Sequence, residues 1–428
     1  MNNNLYNANK NDNTKRIMFS VVCVLLIAII SICVYLLVFY KKDKQPSDQS
    51  NNVGTSSNEP SNATSSTDSL DPSSSKGDDD KSTNSTVSKD ESSTSSNTTS
   101  NEESSTPDVQ DEFDHQWHGF VYRYFGAAFE DFTPSTNSKQ AYIDTLNSLY
   151  EKIAGNSRFF NLIIPTHVEF AKESFPREVT ASSGDSFFNQ SQKSFLNFVA
   201  SKTNEGITNI NPIDLFREKY ANEEYLYFNT DKNYTALAAY YAYTKFCESA
   251  QLEPVTLDKF TELKIDRFLG TFYTQTESKR LEENADYVKF YDIDAVYPSD
   301  VTMYKGTSIF KKQKMIYNSV SSVANGYNVF FGQEAYMIDI KTQTKTGKSI
   351  LVLGDTSAAP FVPFLAAHYE KITFINPTLY NENSYDRLDK FIVGKDFSDI
   401  LVINYSTSYK SPFFFAANIR KMIGTYTE

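Results

Sequence analysis

Hydrophobic positions divide the chain into three stretches of unlike pattern. Ile17 to Tyr40 is apolar almost throughout and carries no charge. Residues 45–112 hold almost no large apolar side chain and no aromatic one. From 113 onward apolar residues return in periodic clusters. Tyr142 to Ile153 has helical spacing, and Phe159 to Pro165 is a run fit for a buried strand. Ser191 to Ser201 predicts a helix, Ile207 to Ile213 a short strand, and Asp214 to Tyr220 a helix. Thr235 is placed to cap an Ala- and Tyr-rich helix over Ala236 to Ala250. Residues 265–345 alternate short aromatic-rich runs with polar turns and give no assignable pattern. Further on, Ser349 to Gly354, Lys371 to Asn376 and Asp399 to Asn404 predict three strands. Phe361 to Tyr369 and Tyr385 to Ile392 predict helices between them. Such alternation implies right-handed crossovers and a parallel sheet covered on both faces, an α/β domain. Sites in these sheets lie beyond the carboxyl ends of the strands, where the turn Gly354-Asp355-Thr356-Ser357 falls.

The stretch 17–40 is long enough to span a bilayer. A cleaved signal peptide would have a shorter apolar run and a small-residue cleavage site, and neither is present. Lys10, Lys15 and Arg16 precede the span and Lys41, Lys42 and Lys44 follow it, so flanking charge does not orient it. The Ser/Asn/Thr/Asp-rich tract orients it instead, because it resembles the wall-spanning spacers of exported bacterial proteins. Too poor in apolar groups to bury a core, it is expected to be disordered, with ends about 45 Å apart as a coil. The expected organisation is a short cytoplasmic tail over 1–16, a transmembrane anchor over 17–40 and a stalk over 41–112. An extracytoplasmic domain over 113–428 follows, on the outer face of a bacterial, Gram-positive-type membrane.

The chain has 428 residues, 41 Lys and Arg against 53 Asp and Glu, and a net charge of −12. It has no basic stripe to neutralise phosphates, which excludes a nucleic-acid role. Cys23 and Cys33 lie in the apolar run and Cys247 stands alone, leaving no disulfide framework. Of four histidines, His115 and His118 are three apart and would share a helix face. They lack a third ligand, so no metal is expected, nor any cofactor.

Gly354-Asp355-Thr356 would turn tightly after a strand and point a hydroxyl and backbone N–H groups at one spot, as a nucleophile with an oxyanion hole requires. A second segment adds weight. Tyr225 to Tyr243 reads YLYFNTDKNYTALAAYYAY; with ILVLGDTSAAPFVPFLAAHYEKITFINP it resembles the DHHW family of bacterial cell-envelope proteins. These are similar to the SGNH-hydrolase-like domains of the O-acetyltransferases of alginate synthesis. The resemblance extends more weakly over FEDFTPSTNSKQAYIDTLNSLYEKI, the strand ending in IIP, and FLGTFY, covering most of 118–410. It implies an SGNH-hydrolase-like (flavodoxin-like) sandwich on a mostly parallel sheet.

The family pattern is Tyr-x-x-Thr-Asp-His-His-Trp-Thr, followed much later by Gly or Asp, then Ser. The resemblance implies a triad of that Ser, the second His and the Asp. Here the Asp is Asp231, but the histidines become Lys232 and Asn233, the Trp becomes Tyr234 and the Ser becomes Thr356. The Asp expected in the strand after the nucleophile becomes Asn376. An amide takes no proton near neutral pH, and losing a triad base costs on the order of a millionfold in turnover. Rescue would need Ser357 as nucleophile with His167 or His368 as base; otherwise His167 is an ordinary histidine near the surface and His368 packs or caps its helix end. Gly184-Asp185-Ser186 spells the nucleophile motif without a preceding strand, and Asp114-His115-Gln116-Trp117 lacks the lead-in and the helix. The 28 Tyr and 33 Phe suit sugar stacking as well as a core. The resulting expectation is a non-catalytic module binding or scaffolding envelope polysaccharide, with Lys232, Tyr234 and Asp355 at the ligand beside Asp231, Asn233 and Thr356. The alternatives are an O-acyltransferase or esterase with a rearranged site, and a structural partner of an envelope assembly protein.

Overall fold

Three runs that are apolar at nearly every position, SILVLG, KITFI and DILVINY, form strands buried along almost their whole length. They centre an eight-stranded sheet in a computed structural model that describes residues 115–118, 121–175, 190–305, 308–320, 323–410 and 415–425. Residues 1–112, with the expected tail, anchor and stalk, lie outside the described residues, as does Gly184-Asp185-Ser186. Among the described residues no helix is long and apolar enough to cross a membrane.

A small antiparallel sheet opens the domain: β1 (His115–His118), β2 (Val121–Tyr124) and β3 (Ala127–Glu130). Next come β4 (Arg158–Ile164) and β5 (Ile207–Ile210) of the large sheet, then β6 (Glu262–Phe268) and β7 (Asp286–Tyr291), which among the described residues pair with each other. The large sheet is completed by β8 (Ser299–Lys305), β9 (Ser308–Gln313), β10 (Met337–Thr342), β11 (Ser349–Gly354), β12 (Lys371–Ile375) and β13 (Asp399–Tyr405). Its order is β5-β4-β13-β11-β12-β10-β8-β9. The run from β5 to β12 is parallel, whereas β10, β8 and β9 join antiparallel. The mostly parallel sheet expected from the sequence is thus a mixed one. The antiparallel part comes from the stretch unassigned in the sequence, where β8 and β10 do alternate, burying Val301, Met303, Ile338 and Ile340, while the edge strand β9 is exposed over much of its length.

Helices cover both faces. Capped by Ser135, Ser191 and Thr235, α1 (Thr136–Ile153), α2 (Gln192–Ala200) and α4 (Ala236–Ala250) start where a hydroxyl accepts a backbone N–H three residues on. Between α2 and α4 lies α3 (Ile213–Ala221), and α5 (Phe415–Met422) follows the sheet. Helix α1 begins earlier than its apolar period because its first turn, TNSKQ, is polar. Neighbours on a strand point to opposite faces. Phe159 of β4 meets Tyr150 of α1 with ring centroids 5.6 Å apart, while Phe160 meets Phe246 of α4 at 5.3 Å. Those two helices therefore lie on opposite faces. Two expected helices shrink. Phe361 to Tyr369 becomes a 3₁₀ segment over Val362–Ala367. Tyr385 to Ile392 retains only Leu388–Phe391, since Asn381 draws the following backbone into a turn through its side chain and carbonyl. At the amino ends of β4 and β13, Arg158 forks onto the buried Asp399 with bonds of 2.6 and 2.8 Å.

Candidate functional site

Two short turns meet beyond the carboxyl ends of the parallel strands. The first follows β11. Gly354 has no room for a side chain there: a Cβ would come within 2.6 Å of Ala358 Cβ and 3.0 Å of the Ile403 carbonyl. Asp355 then caps a single 3₁₀ turn. Its Oδ1 accepts from the Ser357 N–H at 3.0 Å and from the Ser357 hydroxyl. Its Oδ2 accepts from the Tyr405 N–H at 3.0 Å and from the Ser408 hydroxyl. One carboxylate thus ties the turn after β11 to the end of β13.

The second turn precedes α4. Asp286, on β7, accepts from the N–H groups of Asn229 and Thr230 and from the hydroxyls of Thr230 and Tyr225, holding the segment from below. Burial pushes the Asp286 carboxyl above its usual range despite those donors. Asp231 comes next and is itself buried. Its Oδ1 accepts from the backbone N–H and the side-chain Nδ2 of Asn233, both at 2.8 Å. Its Oδ2 accepts from Thr271, through the N–H at 2.7 Å and the hydroxyl at 2.8 Å. A carboxylate only accepts, so the Asn233 amide must turn its NH₂ toward Asp231 and leave its Oδ1 outward.

Between the turns lies a cleft of about 330 Å³. Lys232, Asn233, Asp355, Thr356 and Ser357 line it, together with Glu130, Thr378, Tyr405, Thr407, Ser408 and Phe415. The sequence-derived positions are therefore brought together, with exceptions. Asp231 sits behind Asn233 and does not line the cleft. Tyr234, expected at the ligand, is fully buried, and burial with the nearby Asp355 charge raises its phenol well above the usual value. It packs under the cleft against Tyr405, ring centroids 5.9 Å apart, as core.

Neither histidine reaches the hydroxyls. His167 follows β4, which is separated from β11 by β13 and so lies about 10 Å to the side. Its Nε2 pairs with the Tyr220 hydroxyl at 3.1 Å, and its ring stacks on Tyr227 at 4.9 Å. Burial drives its pKa down to about 3. As a rescue base for Thr356 or Ser357 it is excluded by position. His368 lies at the other end of the sheet, where Thr346, before β11, donates to its carbonyl at 2.8 Å. Its Nε2 is 2.6 Å from the Tyr243 hydroxyl, and burial together with Lys348 lowers its pKa to about 4. His115 and His118 fall on β1, a strand rather than the helix expected.

The Thr356 hydroxyl instead donates to Glu334, and the Asn376 amide approaches the same oxygen at 3.5 Å. Sequence reasoning missed Glu334, Glu130, Thr378 and Ser408. Ser408 and Thr378 follow β13 and β12, so the rule of carboxyl ends would have found them. Glu334 lies in the stretch without period, and nothing in the sequence marks it.

The family model described as DHHW protein matches residues 77–375. The chain belongs to the DHHW family. A DHHW family protein from Eubacterium siraeum shares the fold, with a TM-score of 0.59 at 22% identity over 72% of this chain and 97% of that one. PatB1 of Bacillus cereus is similar as well, at TM-score 0.56 and 16% identity over 69% of this chain and 96% of its own. A PatB1 structure with a sulfonyl adduct gives 0.56 at 15% identity, over 68% and 95%. No curated protein matches the sequence. Within this DHHW chain the segment Thr230-Asp231-Lys232-Asn233-Tyr234, on which the expected signature falls, lies beyond the carboxyl ends of the parallel strands beside Thr356.

Proposed function

We propose that this DHHW protein is held at a bacterial membrane by residues 17–40, with its domain on the outer face. There it binds an envelope polysaccharide in the cleft without transferring an acyl group. The observation that carries the proposal is the environment of Thr356. The carboxylate of Asp231, which in the family resemblance would orient an imidazole, holds the amide of Asn233. The proton of Thr356 is directed to Glu334, and neither His167 nor His368 bonds to that hydroxyl. The Ser357 N–H, a natural oxyanion donor beside Thr356, is turned inward to Asp355. A cleft lined by the hydroxyls of Thr356, Thr378, Thr407 and Ser408 and the amide of Asn233 suits a sugar, whose own hydroxyls bond such a lining. Acyl transfer or ester hydrolysis by this cleft is the competing reading, supported by the family resemblance.

The two readings separate in one comparison. The full chain in detergent is assayed for turnover of an aryl acetate beside the Thr356→Ala, Ser357→Ala double variant. The proposal expects equal rates, no greater than those of buffer with micelles. A rate that is higher in the native chain and lost in the double variant would overturn it.

A further inference from the structure

We infer that the cleft is built for a glycan carrying free amino groups. This rests on the binding reading above and names its ligand class. The argument concerns the direction of hydrogen bonds at the cleft wall. Four hydroxyls on that wall spend their protons within the protein: Thr356 on Glu334, Ser357 and Ser408 on Asp355, and Thr378 on Asn376 Oδ1 at 2.6 Å. A hydroxyl has one proton and two lone pairs, so each of these offers a ligand only acceptors.

The nearby backbone donors are turned inward too. The N–H of Ser357 and that of Tyr405 go to Asp355, that of Thr378 to Asn376, and that of Asn233 to Asp231. The Asn233 side chain, with one N–H on Asp231, adds a carbonyl oxygen and a single remaining N–H. Glu130 lines the wall and Glu334 stands behind Thr356, whereas Lys232 is the cationic side chain of the lining. The inner wall is thus rich in acceptors and negative in charge. An ordinary sugar hydroxyl can act as donor or acceptor and would fit without preference. An ammonium group has three donors and no acceptor, and its bonds to carboxylates are the stronger, charge-assisted kind. An N-acetyl group has one N–H donor in place of three and brings an uncharged carbonyl acceptor to a wall rich in acceptors, and a uronate or phosphate brings like charge. The preferred ligand is therefore a polysaccharide with de-N-acetylated hexosamine units.

The test is titration calorimetry of the full chain in detergent with three probes of equal length: a glucosamine oligomer, its N-acetylated counterpart and an oligouronate. The inference expects the glucosamine oligomer to bind at least about tenfold more tightly than the other two. Glu334→Gln, at an exposed position where folding is not at stake, should remove most of that preference, and Glu130→Gln part of it. Stronger binding of the N-acetylated or acidic oligomer, with or without the variants, would overturn the amine preference while leaving glycan binding in place. An amine preference that both variants leave unchanged would overturn its assignment to this cleft. Binding of none of the three, nor of neutral envelope polysaccharide, would sink the binding reading itself.

Discussion

Asn233 and Thr356 occupy the places where proton transfer would be expected, and each donates from its side chain to a carboxylate. His167 and His368 are committed elsewhere, and that commitment has a measurable consequence. Burial holds His167 at a pKa of about 3, and burial with Lys348 holds His368 at about 4. Both lie below the unfolded value of about 6.5, so the unfolded chain binds more protons between those limits. The neutral imidazoles therefore contribute stability that is complete above about pH 6.5 and declines as the pH falls toward 4. Urea unfolding at pH 7 and pH 5 should show a loss on the order of 1–2 kcal/mol from His167. His167→Phe keeps the ring against Tyr227 and should remove that share of the slope. An unchanged slope would mean that the imidazole is not sequestered as described.

Elements differ in how much of themselves they show in the sequence. Ser135, Ser191 and Thr235 announce helix starts because a hydroxyl before an apolar period satisfies an otherwise orphaned N–H. Strands β4, β11, β12 and β13 show as solid apolar runs because both their faces are covered. The edge strand β9 has Ile309 and Phe310 exposed and carries no alternation that periodicity detects, whereas β6 does alternate, with Leu263 and Ile265 packed on the core between exposed Glu262, Lys264 and Asp266. Position on an element can also mislead. His167 follows the carboxyl end of a strand, as a site residue should, but that strand is two places from β11. The loop bearing Asp231 depends on close approach of the segment after β6. A Cβ on Gly270 would lie 2.2 Å from Asp231 Cβ and 2.4 Å from its Oδ2. Gly270→Ala should therefore displace Asp231, break its bonds to Thr271 and cost about 2 kcal/mol or more, read as a lower denaturant midpoint at constant slope. A midpoint unchanged within error would show that the two turns are not packed in this way.

For the molecule as a whole, an eight-stranded mixed sheet positions two turns beside one cleft at the carboxyl ends of its parallel strands. The placement of Asp231, Asn233 and Thr356 was legible through motif resemblance and the rule that sites lie at strand ends. The chemistry was legible only in part. Replacement of an imidazole by an amide is visible in the letters, whereas the partnership of Thr356 with Glu334 depends on a segment that folds back from an unreadable stretch. Intact-mass spectrometry after treatment with an aryl sulfonyl fluoride puts the resulting claim to its most direct test, since PatB1, of the same fold, has been seen with a sulfonyl adduct. The present account predicts that the mass of the native chain does not rise above that of the Thr356→Ala, Ser357→Ala variant. Stoichiometric addition of one sulfonyl group, mapped to Thr356 or Ser357, would contradict it.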